Sequence, residues 1–182
     1  MTLSARLRRG AWLGPLGLLL VVGLVAAVAL TRPSVEAPAP ASAASVQAYA
    51  NAVARATAPA GQVVETDMKP SVGSWENGTL AADVFAARAG GWGLTFRRTR
   101  AQLAKISIPT GLEGTHAAFL SSLDAYATAA DMFRVAAPTP NLSADATAAV
   151  RAADARYTEA SVALQKALRT AGLSPDVRFP GF

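Results

Sequence analysis

Residues 112–133 read LEGTHAAFLSSLDAYATAADMF, and this stretch decides the fold. Its bulky side chains recur at alternating intervals of three and four residues, and most positions between them are small or polar. A period near 3.5 residues places the bulky side chains on one side of an α-helix and predicts one buried seam along it. The seam comprises Leu112, His116, Phe119, Leu123, Tyr126, Ala130 and Phe133.

The same spacing recurs in three other segments, none of which shows the alternating pattern of a strand. Alanine, a strong helix former, dominates all of them. Four amphipathic helices within residues 45–182 predict an all-α domain, and an antiparallel four-helix bundle buries all four seams together. The other seams are Val46, Tyr49, Val53 and Ala56; Phe85, Ala89, Trp92, Phe96, Thr99, Leu103 and Ile106; and Ala146, Val150, Ala153, Tyr157, Ala160, Leu164, Ala167 and Ala171.

Local signals predict where these helices begin and end. Thr110-Gly-Leu-Glu113 has the form of a capping box at the start of the third helix. Either Asn141 or Ser143 is the expected N-cap of the fourth helix. Gly172 is expected to end that helix.

The connection between the first two helices is harder to define. Residues Lys69–Thr79 are rich in Gly, Ser and Pro, and we expect a loop there. Pro59 and Gly61 interrupt a longer helical pattern, so the first helix either kinks or breaks at that point.

The charge is concentrated at the N-terminus. The chain has 182 residues, 17 Lys and Arg against 12 Asp and Glu, and a net charge of +5. Residues 1–32 contain Arg6, Arg8, Arg9 and Arg32 and no acid, so the remaining chain is nearly neutral. The high pI of about 10.2 therefore does not indicate nucleic-acid binding.

Residues 11–30 carry no charge and are rich in Leu and Val. Their length as a helix matches the thickness of a bilayer, so residues 11–31 are predicted to form a transmembrane signal-anchor. A cleavable signal peptide is the alternative, since Ala27-Val28-Ala29 has the form of a cleavage site. Residues 32–44, rich in Pro and Ala, predict an extended linker.

The arginines before the apolar segment set the expected topology. Residues 1–10 form a basic segment that the positive-inside rule places in the cytoplasm. The predicted localisation is the cell membrane, with a single pass through residues 11–30. Residues 45–182 are then an extracytoplasmic domain.

Few residues offer catalytic chemistry. The absence of Cys excludes disulfides, thiolate metal sites and a thiol nucleophile. Glu113-Gly-Thr-His116 is half of the motif of di-iron bundles, but the chain has no second His to complete it. His116 is better interpreted as a seam residue that bonds a loop carbonyl. We predict no catalytic, cofactor-binding or metal-ligating residue, and hence no enzyme and no cofactor.

Two groups on the second helix are candidates for contact with a ligand or partner. Arg97, Arg98 and Arg100, followed by Lys105, form the densest basic cluster of the predicted domain. The cluster suits anionic lipid headgroups or an acidic partner, but an exposed, solvated helix face is the favoured explanation. Trp92 lies within Gly90-Gly-Trp-Gly93, which favours close packing over a ligand loop.

The C-terminus is a third candidate. Phe179 and Phe182 lie near the free end of the chain. Two exposed phenylalanines there would be unusual, so we expect the end to fold back over the bundle or to act as a binding peptide.

One run of residues resembles a known kind of protein, namely the small exported helical-bundle domains of bacteria. The run comprises Trp92, Leu103, Ile106, Ile108, Pro109, Leu112, His116, Phe119, Leu123, Tyr126 and Ala129. Many such domains are membrane-tethered or lipoprotein-like and have no assigned function. The resemblance implies a bundle and no active site. The chain differs from the lipoproteins in having no Cys for lipid attachment.

These observations favour a non-enzymatic protein-interaction or scaffold module of the cell envelope. Its expected partners are the membrane and an envelope protein, not a nucleic acid. Small-molecule binding near Trp92 and His116 is the alternative, and it requires a cavity of a few hundred Å³. A metal-dependent enzyme is the least favoured hypothesis.

Overall fold

The computed structural model describes residues 41–139 and 143–174. The predicted basic segment 1–10, the predicted transmembrane segment 11–31 and most of the predicted linker lie outside these ranges, as do Phe179 and Phe182. None of the helices within the described ranges is both long and apolar enough to cross a bilayer.

The described residues are helical and contain no strand, as the sequence predicts. The first helix begins at Ala43, two residues inside the predicted linker. The elements are α1 (Ala43–Val63), a π-helical turn (Val64–Met68), α2 (Lys69–Glu76), α3 (Ala82–Leu103), α4 (Glu113–Ala136) and α5 (Ser143–Thr170). The backbone stays in the right-handed helical region at Val64 and Lys69, so α1, the π turn and α2 form one continuous rod, here called the first rod.

Side-chain contacts show that neighbouring helices run antiparallel. Between α3 and α4, Arg97 contacts Asp131 and Arg100 contacts Asp124. The residue numbers therefore increase along one helix as they decrease along the other. The first rod and α3 pair in the same sense through two contacts, Asp67 with Trp92 and Trp75 with Phe85. The α4–α5 pair does so through Ser122 with Ala153 and Phe119 with Tyr157. Tyr157 also bonds Thr57, which brings α5 back to the first rod and closes a four-helix bundle.

The predicted seams form one hydrophobic core. Every seam residue of 112–133 is buried, and Phe85, Phe96 and Leu103 of α3 are fully enclosed. Five seam positions are only half-buried: Ala56, Ile106, Val150, Ala167 and Ala171. Burial of one large apolar side chain contributes about 1.5–3 kcal/mol, so this core is the main source of stability.

The loop predicted at Lys69–Thr79 is wrong, because the first rod remains helical to Glu76. Pro59 is exposed on the rod, so its missing N–H falls on the solvent side. Beyond it, Val64, Met68 and Trp75 continue the buried seam. Burial of these large side chains outweighs the weak helix propensity of the Gly, Ser and Pro around them.

The helix ends agree only in part with the prediction. Gly172 has φ +73, and the N–H of Leu173 bonds the carbonyl of Leu168, so the predicted end of α5 is confirmed as a Schellman motif. Gly78, with φ 72, ends α2 in the same way. The Asn141 and Pro140 positions lie outside the described residues, and Ser143 is the first residue of α5.

The capping box predicted at Thr110 is wrong. α4 begins at Glu113, with Leu112 at the N-cap position and no side-chain cap bond. The carboxylate of Glu113 instead accepts from the backbone N–H of Gly111 at 2.8 Å. Gly111 adopts φ +88, and this turn presents its N–H to the Glu113 carboxylate, in place of the backbone N–H of Thr110 that a capping box would use.

Candidate functional site

The one histidine is held in the core by a tyrosine. His116 lies in the first turn of α4, and Tyr49 faces it from α1. The Tyr49 hydroxyl lies 3.0 Å from His116 Nδ1. His116 is 4% exposed and Tyr49 is 2% exposed. The predicted partner of His116, a loop carbonyl, is therefore replaced by a side chain of the first rod.

Burial sets the protonation of this pair. It raises the pKa of Tyr49, so the phenol keeps its proton. It lowers the pKa of His116, which stays neutral. A neutral phenol and a neutral imidazole share one hydrogen bond, whose direction follows the tautomer of the ring. A neutral, bonded imidazole of this kind fixes the alignment of α1 and α4.

Two grooves flank the pair at one end of the bundle. We call this the loop end and define it as residues 41–49, 104–115 and 163–174. One groove of about 450 Å³ is lined by Val46, Leu112, Lys166 and neighbouring residues. The other, about 410 Å³, lies between Ser45–Ala52 and the connection Ile106–Pro109. Both grooves are open, and their walls are mostly apolar.

The π turn carries a polar network. Trp92 Nε1–H of α3 donates to Asp67 Oδ2 at 2.6 Å. Ser71 Oγ–H and Arg88 Nη1 donate to Asp67 Oδ1 at 3.1 and 3.2 Å. Arg88 Nη1 also lies 2.8 Å from Ser71 Oγ. Asp67, Ser71 and Arg88 line a cleft of about 210 Å³ together with Thr66, Ser74 and Thr79.

The predicted basic cluster on α3 is divided between two faces. Arg97 Nη1 pairs with Asp131 Oδ2 at 3.0 Å, and Arg100 Nε pairs with Asp124 Oδ1 at 2.8 Å. Arg98 is exposed and makes no ion pair with the residues that the structure describes. The three arginines therefore do not form one patch, because two of them join α3 to α4.

The predicted ligand positions near Trp92 are packed. Trp92 is 2% exposed and its ring meets Phe85 edge-on, with centroids 5.6 Å apart. A Cβ at Gly93 would lie 3.0 Å from Arg97 Nη2 and 3.6 Å from Ala130 Cβ, so the missing side chain permits close packing. Neither Trp92 nor His116 lines any of the grooves described here.

An apolar groove lies at the opposite end of the bundle, between the C-terminal half of α4 and the start of α5. We call it the α4 groove. It measures about 420 Å³ and is lined by Thr128, Asp131, Met132, Val135, Ala136 and Asp145. Val135 is 68% exposed, a large fraction for a valine beside a core that includes Phe133 and Ala136.

Metal ligands do not converge among residues 41–139 and 143–174. No group of three or more His, Asp or Glu side chains there is close enough to hold an ion. Glu113, the half-motif partner of His116, has its carboxylate on the Gly111 N–H.

Comparison with known proteins returned no similarity: no family model, no curated protein and no solved structure matches this chain. The resemblance to exported bacterial bundles stays a prediction.

Two features of the structure were not predicted. One is the π turn that contains Asp67: Pro59 and Gly61 indicate an interruption of the helix, although Ala60, Val64 and Met68 continue the seam at successive intervals of four. That spacing was the available signal for the π turn. Val135 lies two residues after the seam residue Phe133, and an exposed valine at that spacing was the available signal for the α4 groove.

Proposed function

We propose that this protein is a membrane-anchored, extracytoplasmic helical domain that acts as a non-enzymatic protein-interaction module of the cell envelope. The α4 groove carries the proposal. Its apolar floor of Met132, Val135 and Ala136 leaves a valine largely exposed at the surface of an otherwise well-packed bundle. Concave apolar surface with a polar rim is typical of a protein-recognition site.

The rim of the groove indicates the chemistry of the partner. Asp145, in the first turn of α5, is exposed and makes no ion pair with any described residue. Asp131 on the other side is already paired with Arg97. A partner segment that presents an apolar side chain next to a Lys or Arg could pack the apolar side chain on the floor of the groove and pair the cation with Asp145.

The state of the polar side chains supports a non-enzymatic role. His116 is bound to Tyr49, and Asp67 is bound to Trp92. Arg97 and Arg100 hold carboxylates of α4. Each of these groups already has a stabilising contact, which is how a structural bundle uses such residues.

A photo-crosslinking amino acid at Val135 in the full chain tests the interaction. The matched control carries the same probe at Val162, another exposed valine, on α5. We expect an adduct in native membranes from position 135 and none from position 162. We also expect Val135→Lys to prevent copurification of the crosslinked partner, because the new lysine repels the Lys or Arg of the partner segment. The control Val162→Lys is expected to leave copurification unchanged. Identical adducts from both positions, or none from position 135, would refute the proposal.

The anchor is tested separately. The full chain is expected to remain with the membrane after an alkaline wash, with a mass that includes residues 1–29. Release of a chain that begins after Ala29 would support the cleaved signal peptide instead. Protease added from the extracytoplasmic side is expected to digest the helical domain.

Small-molecule binding and metal-dependent catalysis stay as the alternative hypotheses. The first predicts a ligand that protects a groove of the loop end from solvent, and the second predicts metal in the purified full chain that is lost in His116→Ala. Ligand-dependent protection of Tyr49, or stoichiometric metal, would favour one of them over the interaction module.

A further inference from the structure

We propose that the loop end of the bundle lies on an anionic phospholipid surface, with Ile108 as its apolar contact and Lys105, Lys166 and Arg169 as its headgroup contacts. The inference rests on the proposed membrane anchoring and specifies how the domain is oriented on the membrane.

With the proposed anchor in residues 11–31, the chain enters the helical domain at the loop end. The first rod begins at Ala43 in this end, so the chain before it enters the domain here. Residues 32–42 span at most about 40 Å when fully extended. The opposite end of the bundle lies about 50 Å farther along the first rod, at a rise of 1.5 Å per residue. A tether of this length reaches the surface easily with the loop end and poorly with the other.

The charges of the loop end also favour its contact with an anionic membrane. Lys105, Lys166 and Arg169 are exposed and make no ion pair with described residues. The one acid within the loop end as defined is Glu113, whose carboxylate accepts from Gly111. Each Lys or Arg near an anionic surface strengthens adsorption about fivefold, so three of them are sufficient to orient a tethered domain.

The opposite end of the bundle carries exposed acids instead. Glu76 ends α2, Asp83 lies in the first turn of α3, and Asp145 lies in the first turn of α5. Arg134 is an exposed base of the same end, and the exposed Lys69 and Arg88 nearby are paired with Glu65 and Asp67. An anionic surface therefore attracts the loop end more strongly than the opposite end, which leaves the α4 groove facing away from the membrane.

An exposed isoleucine completes the contact. Ile108 is 40% exposed in the connection between α3 and α4, next to the half-buried Ile106 and Pro109. An apolar side chain surrounded by Lys and Arg is the arrangement by which peripheral helices enter the headgroup region. Arg169 in the last turn of α5 also complements the helix dipole, but the dipole gives no reason for Ile108 to be exposed.

Depth-dependent fluorescence quenching tests the proposal, and the absence of Cys in the chain makes single labelling clean. The full chain is labelled at Ile108→Cys, or at the control Ala81→Cys, an exposed site at the opposite end. Each protein is reconstituted into vesicles of phosphatidylcholine, alone or mixed equally with phosphatidylglycerol, that contain a lipid-bound quencher.

We expect strong quenching at position 108 in the anionic vesicles and none at position 81. The variant Lys105→Gln/Lys166→Gln/Arg169→Gln is expected to reduce quenching several-fold, to the level seen in phosphatidylcholine alone. The charge-retaining Lys105→Arg/Lys166→Arg/Arg169→Lys variant is expected to restore it. Far-UV circular dichroism of each variant checks that the helices are intact.

The outcomes separate this inference from the proposed anchor. If the chain floats with the vesicles but positions 108 and 81 are quenched equally, the anchor stands and the orientation is overturned. The same holds if the triple Gln variant is quenched as strongly as the parent. If the chain does not float with vesicles of either composition, the anchor and the orientation are both overturned.

Discussion

The Tyr49–His116 hydrogen bond places the one titratable imidazole of the chain inside the helix packing. His116 has its pKa lowered by burial, so the folded chain resists its protonation. Its Nδ1 lies 3.0 Å from the Tyr49 hydroxyl, so a charged ring would have to form inside the core. A single side chain therefore links the stability of the bundle to pH.

We predict that the free energy of unfolding changes little between pH 7 and pH 8 and falls as the pH drops below about 6.5. In that window the unfolded chain binds a proton on His116, whose ordinary pKa is 6.5, whereas the folded chain does not. One proton gives a slope of at most about 1.4 kcal/mol per pH unit. Urea titrations of the full chain from pH 8 to pH 5 measure it. The non-titrating variant His116→Gln is expected to flatten this slope, and an unchanged slope would exclude His116 as its source.

Asp67 accepts a hydrogen bond from a buried donor, the indole of Trp92, as Asp154 does from the Tyr126 hydroxyl. We predict that Asp67→Ala lowers the free energy of unfolding by about 1–3 kcal/mol, since the buried indole N–H of Trp92 loses its acceptor. The matched control is Asp131→Ala, which removes an ion pair whose two side chains are 46% and 47% exposed. That loss is expected to be about 0–1 kcal/mol. If urea titrations show equal losses of unfolding free energy in the two variants, the bond to Trp92 stabilises the fold no more than an exposed ion pair does.

At the scale of the elements, glycines in α3 and at the end of α2 have opposite roles. Gly91 is exposed in the middle of α3, and a Cβ there meets no atom within 4 Å. Gly78 also has open space, but its φ of +72 lies in the left-handed region. The same substitution therefore acts on helix propensity at one site and on backbone strain at the other.

We predict that Gly91→Ala raises the free energy of unfolding by up to about 1 kcal/mol, because alanine is the better helix former. Gly78→Ala is expected to lower it by about 1–2 kcal/mol, because a Cβ disfavours the left-handed conformation. Thermal unfolding of the two variants beside the parent compares them directly. A loss of stability in Gly91→Ala would contradict the open space at this position.

The sequence predicted the elements well where the seam was continuous and badly where local composition opposed it. All seven seam residues of 112–133 are buried as predicted. In the first rod, Pro59 and Gly61 indicated an interruption, but burial of Val64 and Met68 keeps the chain helical. Such burial depends on the facing helix, α3, and a local pattern does not contain it.

The contacts between elements were less predictable still. Tyr49 and His116 were both seam residues in the sequence, yet their pairing depends on the stagger of α1 against α4. The bond from Trp92 to Asp67 depends on the π turn, which rotates the residues after it about the helix axis. Stagger and rotation are properties of the packed bundle, so they appear only in three dimensions.

On the scale of the whole molecule, one core connects both ends of the bundle. It extends from Val46 and Leu112 at the loop end to Trp75 and Ala137 at the other. Trp75 stacks on Phe85 with ring centroids 4.2 Å apart, and its Nε1–H donates to the carbonyl of Ala137 at 3.1 Å. A continuous core of this kind is expected to unfold cooperatively.

We predict that tryptophan fluorescence and far-UV circular dichroism report the same urea midpoint. The measurement uses the Trp12→Phe chain, which leaves Trp75 and Trp92 as the only fluorescent indoles. Leu112→Ala, a truncation at the loop end, is expected to shift both midpoints together by the equivalent of about 2 kcal/mol or more. A shift in circular dichroism alone would show that the loop end unfolds separately from the opposite end, which contains Trp75.

The spread of contacts along the first rod also determines how the domain bears mechanical load. A pull on the chain before Ala41 is applied at Ser42, whose hydroxyl caps α1 at the start of the first rod. Tyr49, Thr57, Asp67 and Trp75 each tie the rod to another helix, at intervals along its whole length. An axial pull loads these ties in shear, all at once, whereas a sideways pull would peel them one after another. The domain is therefore built to resist tension from its N-terminal side.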